Sequence, residues 1–233
     1  MHNGVTFGDK HSYTDFGLIL EERPTVSPPE PKTVYVEVPG ADGILDLSEV
    51  VTGEVMYKER TITCKFGITD AREKWNIIYS NVLNALNGKR MKIILDEEPE
   101  YYYQGRVTVS DWDTDIAFPV ITIKAIVDPY KMDLFSSAEN WAWDTFNFET
   151  GVIHDPTVTV SGTTKITVVN GRKTVIPTLT TSADGITVTV GGTKYTLTKG
   201  VNKIAGIKLK EGETVLSFSG TGTVTIDYRG GSL

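Results

Sequence analysis

The sequence has few of the residues that build disulfides, metal sites and membrane spans. Cys64 is the only cysteine among 233 residues, so no intrachain disulfide can form and we expect folding in a reducing cytoplasm. No apolar run approaches the ~18 residues that a membrane span requires, and the N-terminus lacks the basic and apolar segments of a signal peptide. We therefore expect neither membrane insertion nor a secretory leader.

Histidine is almost as scarce, which limits the chemistry open to the chain. His2, His11 and His154 do not form a metal-ligand spacing. The sequence also has no G-x-S-x-G elbow for a nucleophilic serine and no glycine-rich phosphate loop before a helix. We predict that the protein is not an enzyme, with no catalytic residue, no metal site and no cofactor.

Two acidic clusters, at residues 96–100 and 111–115, are the nearest approach to a chemical motif. Their carboxylates could serve as glycosidase acids or calcium ligands, or could face the axis of an oligomer. Both clusters fall between predicted strands, and the second lacks the glycine and the distal glutamate of a calcium loop. We interpret them as solvated loops.

The net charge of −7 is unevenly distributed. Residues 1–133 hold 14 Lys and Arg against 22 Asp and Glu, which gives −8, whereas residues 134–233 hold 9 against 8, which gives +1. No basic patch is evident along the chain, so we do not expect binding to nucleic acid through its phosphates.

One segment has the periodicity of a helix. Its apolar residues recur at i, i+3, i+4 and i+7 and form a single stripe: Trp75, Ile78, Tyr79, Val82, Leu83 and Leu86. Thr69 or Asp70 can cap its start, and Gly88 can supply the left-handed residue that ends it. We predict a helix over about 70–87.

The rest of the chain has the patterns of β structure. Residues 21–32 carry four prolines and are expected to form a stiff connector between short N-terminal strands and the main sheet, after which residues 33–38 read as a strand. Beyond residue 134, short alternating strands recur every 8–12 residues between glycine turns, which indicates a β-sandwich. The predicted class is mainly β, with domains at 1–133 and 134–233.

The first half resembles the distal tail proteins of long-tailed bacteriophages, chiefly those infecting Gram-positive hosts. Five stretches carry the resemblance in the same order as in that family: 36–47, 57–60, 86–89, 102–107 and 128–131. The signature positions within them are Pro39, Gly40, Gly43, Asp46, Tyr57, Arg60, Gly88, Tyr103, Gly105, Arg106, Pro129 and Tyr130.

This resemblance implies an N-terminal β-sandwich or split-barrel domain with one helix, which assembles into a hexameric ring, and a C-terminal galectin-like or carbohydrate-module-like sandwich. The ring would join the tail tube to the tail-tip protein and let DNA pass without specific binding. The implied setting is the tail tip of a phage or prophage virion, made in the bacterial cytoplasm. A receptor-binding protein or a host glycan would be a further partner.

An alternative function is a carbohydrate-binding module for host surface glycans, and a weaker one is a glycan-cleaving enzyme. The aromatic run that contains Trp141 and Trp143 motivates the first alternative, because aromatic faces stack on sugar rings. The same alternation presents both side chains on one face of a strand, as core or interface residues do. Packing in a core, a protein interface and a sugar platform all stay open for this run.

Overall fold

The computed structural model describes residues 3–113, 119–139 and 157–233. Its strands confirm the predicted mainly β class, with curled sheets. The chain divides into two compact units. The first comprises Met1–Glu98, Tyr102–Pro129 and Leu233, and the second comprises Pro99–Tyr101 and Tyr130–Ser232.

A single antiparallel sheet forms the first unit, in the order β2-β1-β8-β9-β10-β7-β3, with β4 also on the edge of β7. Its strands are β1 (Val5–Phe7), β2 (Lys10–His11), β3 (Leu18–Leu20), β4 (Thr25–Val26), β7 (Arg60–Ile68), β8 (Arg90–Leu95), β9 (Tyr101–Asp113) and β10 (Val120–Val127). A separate two-stranded sheet pairs β5 (Tyr35–Glu37) with β6 (Ile44–Asp46).

Strict alternation gives this sheet one buried and one open face. In β7 the residues Ile62, Cys64 and Phe66 are buried, while Lys65 between them is exposed. The other strands repeat the pattern, as expected for an antiparallel sheet with one face on the core. Cys64 is a structural thiol of this core, since it is 2% exposed and burial raises its pKa to about 12.

The predicted helix exists, but its start and its caps differ from the prediction. Residues Arg72–Lys74 form a 3-10 turn that leads into α2 (Trp75–Leu86), and neither has a side-chain cap. The Asp70 carboxylate instead pairs with the Lys74 ammonium group at 2.9 Å. The backbone carbonyl of Asp70 accepts a hydrogen bond from Trp75 Nε1. Gly88 is left-handed, with φ 76°, as expected for the residue that ends the helix.

The sequence reading missed a second helix, α1 (Ser12–Phe16). Five residues are too few to show a helical period. Its cap is also unusual, because Nδ1 of His11 accepts hydrogen bonds from the backbone N–H groups of Tyr13 and Thr14. Gly17 ends the helix with φ 66°.

The proline-rich segment 21–32 is an added edge of the sheet and not a free connector. The Glu21 N–H donates to the carbonyl of Lys65, and Thr25 pairs with Thr63 in β4. The Ser27 N–H then donates to the carbonyl of Thr61. Proline is compatible with this position because an edge strand needs hydrogen bonds on one side only.

In the second unit, two long strands hold the sheet together. β12 (Thr157–Asn170) pairs along its whole length with β17 (Gly212–Asp227). The other edge of β17 meets β14 (Thr187–Val190) near one end and β13 (Thr178–Thr181) near the other. β15 (Thr193–Thr196) and β16 (Gly200–Asn202) complete the sheet, while β11 (Lys131–Asp133) pairs with β18 (Gly231–Ser232).

Glycines let this sheet curl over its core. Gly220 and Gly222 lie in the middle of β17 with φ of 135° and 148°, a region that side chains disfavour. The two halves of β17 therefore serve different neighbours, and the sheet encloses an apolar core that includes Phe218 and Leu216. The β-sandwich predicted for this half is confirmed, and it is built from a six-stranded sheet that curls over its own core.

Gly105 sits where two backbones meet, and we predict that Gly105→Ala destabilises the first unit. A Cβ atom there would lie 2.3 Å from the carbonyl oxygen of Ile126 and 2.6 Å from Cα of Val127. Overpacking of this kind costs about 1–3 kcal/mol, measurable by urea unfolding. Gly67→Ala is the matched control, since its nearest neighbour is the Glu21 side chain at 3.4 Å. Equal stability of the two variants would contradict the packing described.

The helix provides a second test of the core. Leu86 is 1% exposed, whereas Ile77 on the same helix is 61% exposed. Leu86→Asp should lower the free energy of unfolding by at least ~3 kcal/mol, because it removes a buried side chain and buries a charge. Ile77→Asp should cost less than ~1 kcal/mol. Thermal unfolding of both variants checks the difference, and similar midpoints would contradict it.

Candidate protein interface

The most exposed part of the first unit is a hairpin, residues 33–55, which we call the arm. It leaves the sheet through a short ribbon of two paired segments of the chain. The Lys58 N–H donates to the Glu30 carbonyl, Pro31 pairs with Tyr57, and the Lys32 N–H donates to the Met56 carbonyl at 2.7 Å. These contacts join the two ends of the arm to each other just before β7 begins at Arg60.

One face of the arm is wholly apolar. In the pairing of β5 with β6, Val36 lies opposite Leu45, and the Leu47 N–H donates to the Val34 carbonyl. Directly opposed residues share a face, so these four side chains lie together with Val38. None of them is buried, and Val34 is 54% exposed. The pattern is that of a strand pair whose apolar face should be covered.

The other face and the base of the arm are acidic. The arm contains Glu37, Asp42, Asp46, Glu49 and Glu54 and no Lys or Arg, a charge of −5. Asp46 accepts hydrogen bonds from the N–H and the hydroxyl of Ser48, which hold the pKa of its carboxyl below the usual range. Asp46 therefore keeps its negative charge at neutral pH.

Glycines shape the tip of the arm. Gly40 and Gly43 have φ of 85° and 80°, a conformation that few other residues adopt. The Ala41 N–H donates to the Val38 carbonyl across this turn. The signature positions Pro39, Gly40, Gly43 and Asp46 thus all lie in the arm, and Tyr57 lies at its base.

Arg60, another signature position, begins β7 as a buried cation. It is 6% exposed, and its guanidinium lies 4.8 Å from the ring centre of Tyr103. Burial lowers the pKa of Arg60 and raises that of Tyr103 to about 12. Its Nε and Nη2 atoms have no hydrogen-bond partner among the described residues. The pair sits in the core, at the root of the arm.

The remaining signature positions hold backbones together. Arg106 Nη1 donates to the Gly88 carbonyl, which ties β9 to the end of α2. Gly105 packs against β10 as described. Pro129 ends the Tyr102–Pro129 segment of the first unit, and Tyr130 begins the Tyr130–Ser232 segment of the second. Trp141 and Trp143 lie outside the described residues.

Two carboxylates of the first acidic cluster, those of Asp96 and Glu97, make hydrogen bonds and ion pairs within the first unit. Asp96 Oδ2 accepts a hydrogen bond from the Gly4 N–H at 2.8 Å and lies 3.0 Å from His11 Nε2. Glu97 pairs with Arg23 at 3.0 Å. Residues 114 and 115 of the second cluster lie outside the described residues.

Across residues 3–113, 119–139 and 157–233, no group of three or more His, Cys, Asp or Glu is placed to hold a metal ion. None of the helices described there has the length and apolarity needed to cross a bilayer.

A solved structure has a fold similar to that of this chain. A crystal structure of the SPP1 Dit (gp 19.1) protein, described as a paradigm of the hub adsorption apparatus in phages that infect Gram-positive bacteria, matches 97% of this chain and 98% of its own. The TM-score is 0.62 and the sequence identity is 15%. No protein-family model matches the sequence, and no curated protein matches it. The chain therefore shares the overall fold of that phage protein.

Sequence reasoning found the strands of the arm but misplaced them. Residues 33–38 were expected to lead into the main sheet, yet β5 pairs only with β6 among the described strands. Composition could have marked the arm as a distinct segment, because 23 residues without Lys or Arg follow a proline-rich stretch. Periodicity alone does not say whether an apolar face is covered by its own chain or by another.

Removing the arm should leave the fold of the isolated subunit intact. Since residues 31–59 include no buried side chain, a short glycine-serine linker in place of residues 34–55 should change the free energy of unfolding by less than ~0.5 kcal/mol. Urea unfolding at low protein concentration measures this, with Gly105→Ala as the destabilised reference. A loss of several kcal/mol would show that the arm belongs to the core of its own chain.

Proposed function

We propose that this protein is a non-enzymatic structural component of a bacteriophage tail tip, which forms a ring between the tail tube and the host-adsorption apparatus. The observation that carries the proposal is the match of fold along nearly the whole of both chains with a phage hub adsorption protein. Because the identity is 15%, that match speaks for the architecture. The ordered signature positions and the exposed arm connect the architecture to assembly.

The arm supports self-assembly through the first unit. An exposed apolar face on a two-stranded hairpin is unusual in a monomer, since a two-stranded ribbon is at best marginally stable in water. A closed ring is built from head-to-tail contacts, in which one patch of each copy binds a different patch of the next. A projecting arm is suited to such a contact.

The remaining parts of the proposal follow from the position of the ring in the phage tail. A ring at the tail tip contacts the tail tube protein on one side and the tail-associated tip protein on the other, and DNA passes through it. The second unit, a separate compact sheet, is then available for a receptor-binding protein or a host glycan. The ring has six copies in this proposal, as the family resemblance implies.

Light scattering of the purified full-length protein tests the proposal. Between about 1 and 100 µM, the mass should rise from that of the 25.6 kDa chain towards a closed oligomer, because association of identical subunits follows mass action. Negative-stain micrographs should then show rings with a central hole. A single-chain mass throughout this range, with no rings, would contradict the proposal.

A further inference from the structure

The open face of the central sheet carries a basic surface that the sequence did not reveal. Alternation places five basic side chains there, one or two from each of four neighbouring strands: Lys65 on β7, Arg90 and Lys92 on β8, Arg106 on β9 and Lys124 on β10. All five are exposed. We call this surface the basic face.

Register brings these side chains into adjacent rows. Arg90 lies directly opposite Arg106, which lies opposite Ile126 on the next strand. Lys124 pairs with Thr108 on one side and Thr63 on the other. Because directly paired residues point to the same side of a sheet, the rows form one continuous patch.

The charge of the basic face is only partly neutralised by its own chain. Arg90 pairs with Asp128 at 2.7 Å and Lys65 with Glu22 at 3.0 Å, yet both cations stay about half exposed. Lys92 lies over the ring of Tyr102 at 4.5 Å. Lys124 has no ion pair within the part of the chain that the structure describes.

The basic face also has an apolar element. Ile126 is 62% exposed although it sits in the middle of the patch, between Arg106 and Thr61. A wholly solvated sheet face would carry polar residues at such a position. The combination of exposed isoleucine and surrounding cations fits a partner that is both apolar and acidic.

We propose that the arm of one copy binds the basic face of a second copy. One face of the arm carries Glu37 and Asp46 beside Tyr35 and Ile44, which are 59% and 60% exposed, and the basic face offers five cations around Ile126. The two surfaces are different patches of the same unit, which is what a head-to-tail contact requires. This inference rests on the proposed ring and names the two surfaces that close it.

Charge reversal tests the contact in the full-length protein. The arm variant carries Glu37→Lys and Glu49→Lys, and the face variant carries Lys92→Glu and Lys124→Glu; Asp46 is left in place because it holds the arm together. Each variant alone should raise the dissociation constant of assembly by about 100-fold, since like charges brought together cost several kcal/mol. Sedimentation velocity across a concentration series measures it.

Restoration is the decisive measurement. A chain that carries all four substitutions again pairs opposite charges, so its dissociation constant should return to within about tenfold of the unaltered protein. The control variant, Lys194→Glu with Lys203→Glu, makes the same change in net charge as the face variant, but at exposed positions of the second unit. It should assemble like the unaltered protein.

The outcomes separate this inference from the proposed function. If the unaltered protein forms rings but the arm variant does too, or the four-substitution chain does not recover, the arm–face contact is wrong while the ring stands. The arm would then serve another tail component. If the face variant loses affinity for a duplex DNA probe and still assembles, the basic face is a DNA surface. A protein that never oligomerises overturns both.

Discussion

An apolar hairpin face that its own subunit leaves uncovered is the constraint on which this account depends. The arm is held at its base by the pairing of Pro31 with Tyr57 and by the neighbouring backbone hydrogen bonds. Beyond that base, the side chains of Val34, Val36 and Leu45 face solvent in the isolated chain. A face of this kind is a liability unless another surface covers it, and a ring of identical copies provides such a surface.

The rigid part of the first unit explains how the arm can be aimed. β7 runs from the arm's base into the sheet between β10 and β3, and its inward-facing residues Ile62, Cys64 and Phe66 are buried in the core. Arg60 stacks on Tyr103 at the point where β7 enters that core. The direction of the arm is thus set by a strand with little freedom, which lowers the entropic cost of binding.

Much of the fold could be predicted from the sequence because its signals are local. The stripe from Trp75 to Leu86 predicts α2, and the short alternating runs between glycine turns predict the strands beyond residue 134. Other features depend on pairing between distant strands. The basic face joins Lys65, Lys92 and Lys124, which lie far apart in a chain whose first 133 residues are acidic overall, so no window of sequence could show it. The five-residue helix α1 was missed because it is shorter than two turns.

Hydrogen exchange in the assembled protein tests the central claim most directly. Amides of β5 and β6 should exchange quickly at concentrations where the protein is a monomer, since an isolated two-stranded ribbon opens readily. At concentrations where the protein is assembled, these amides should become protected. Assembly that leaves exchange in the arm as fast as in the monomer would contradict the claim that the arm joins the copies.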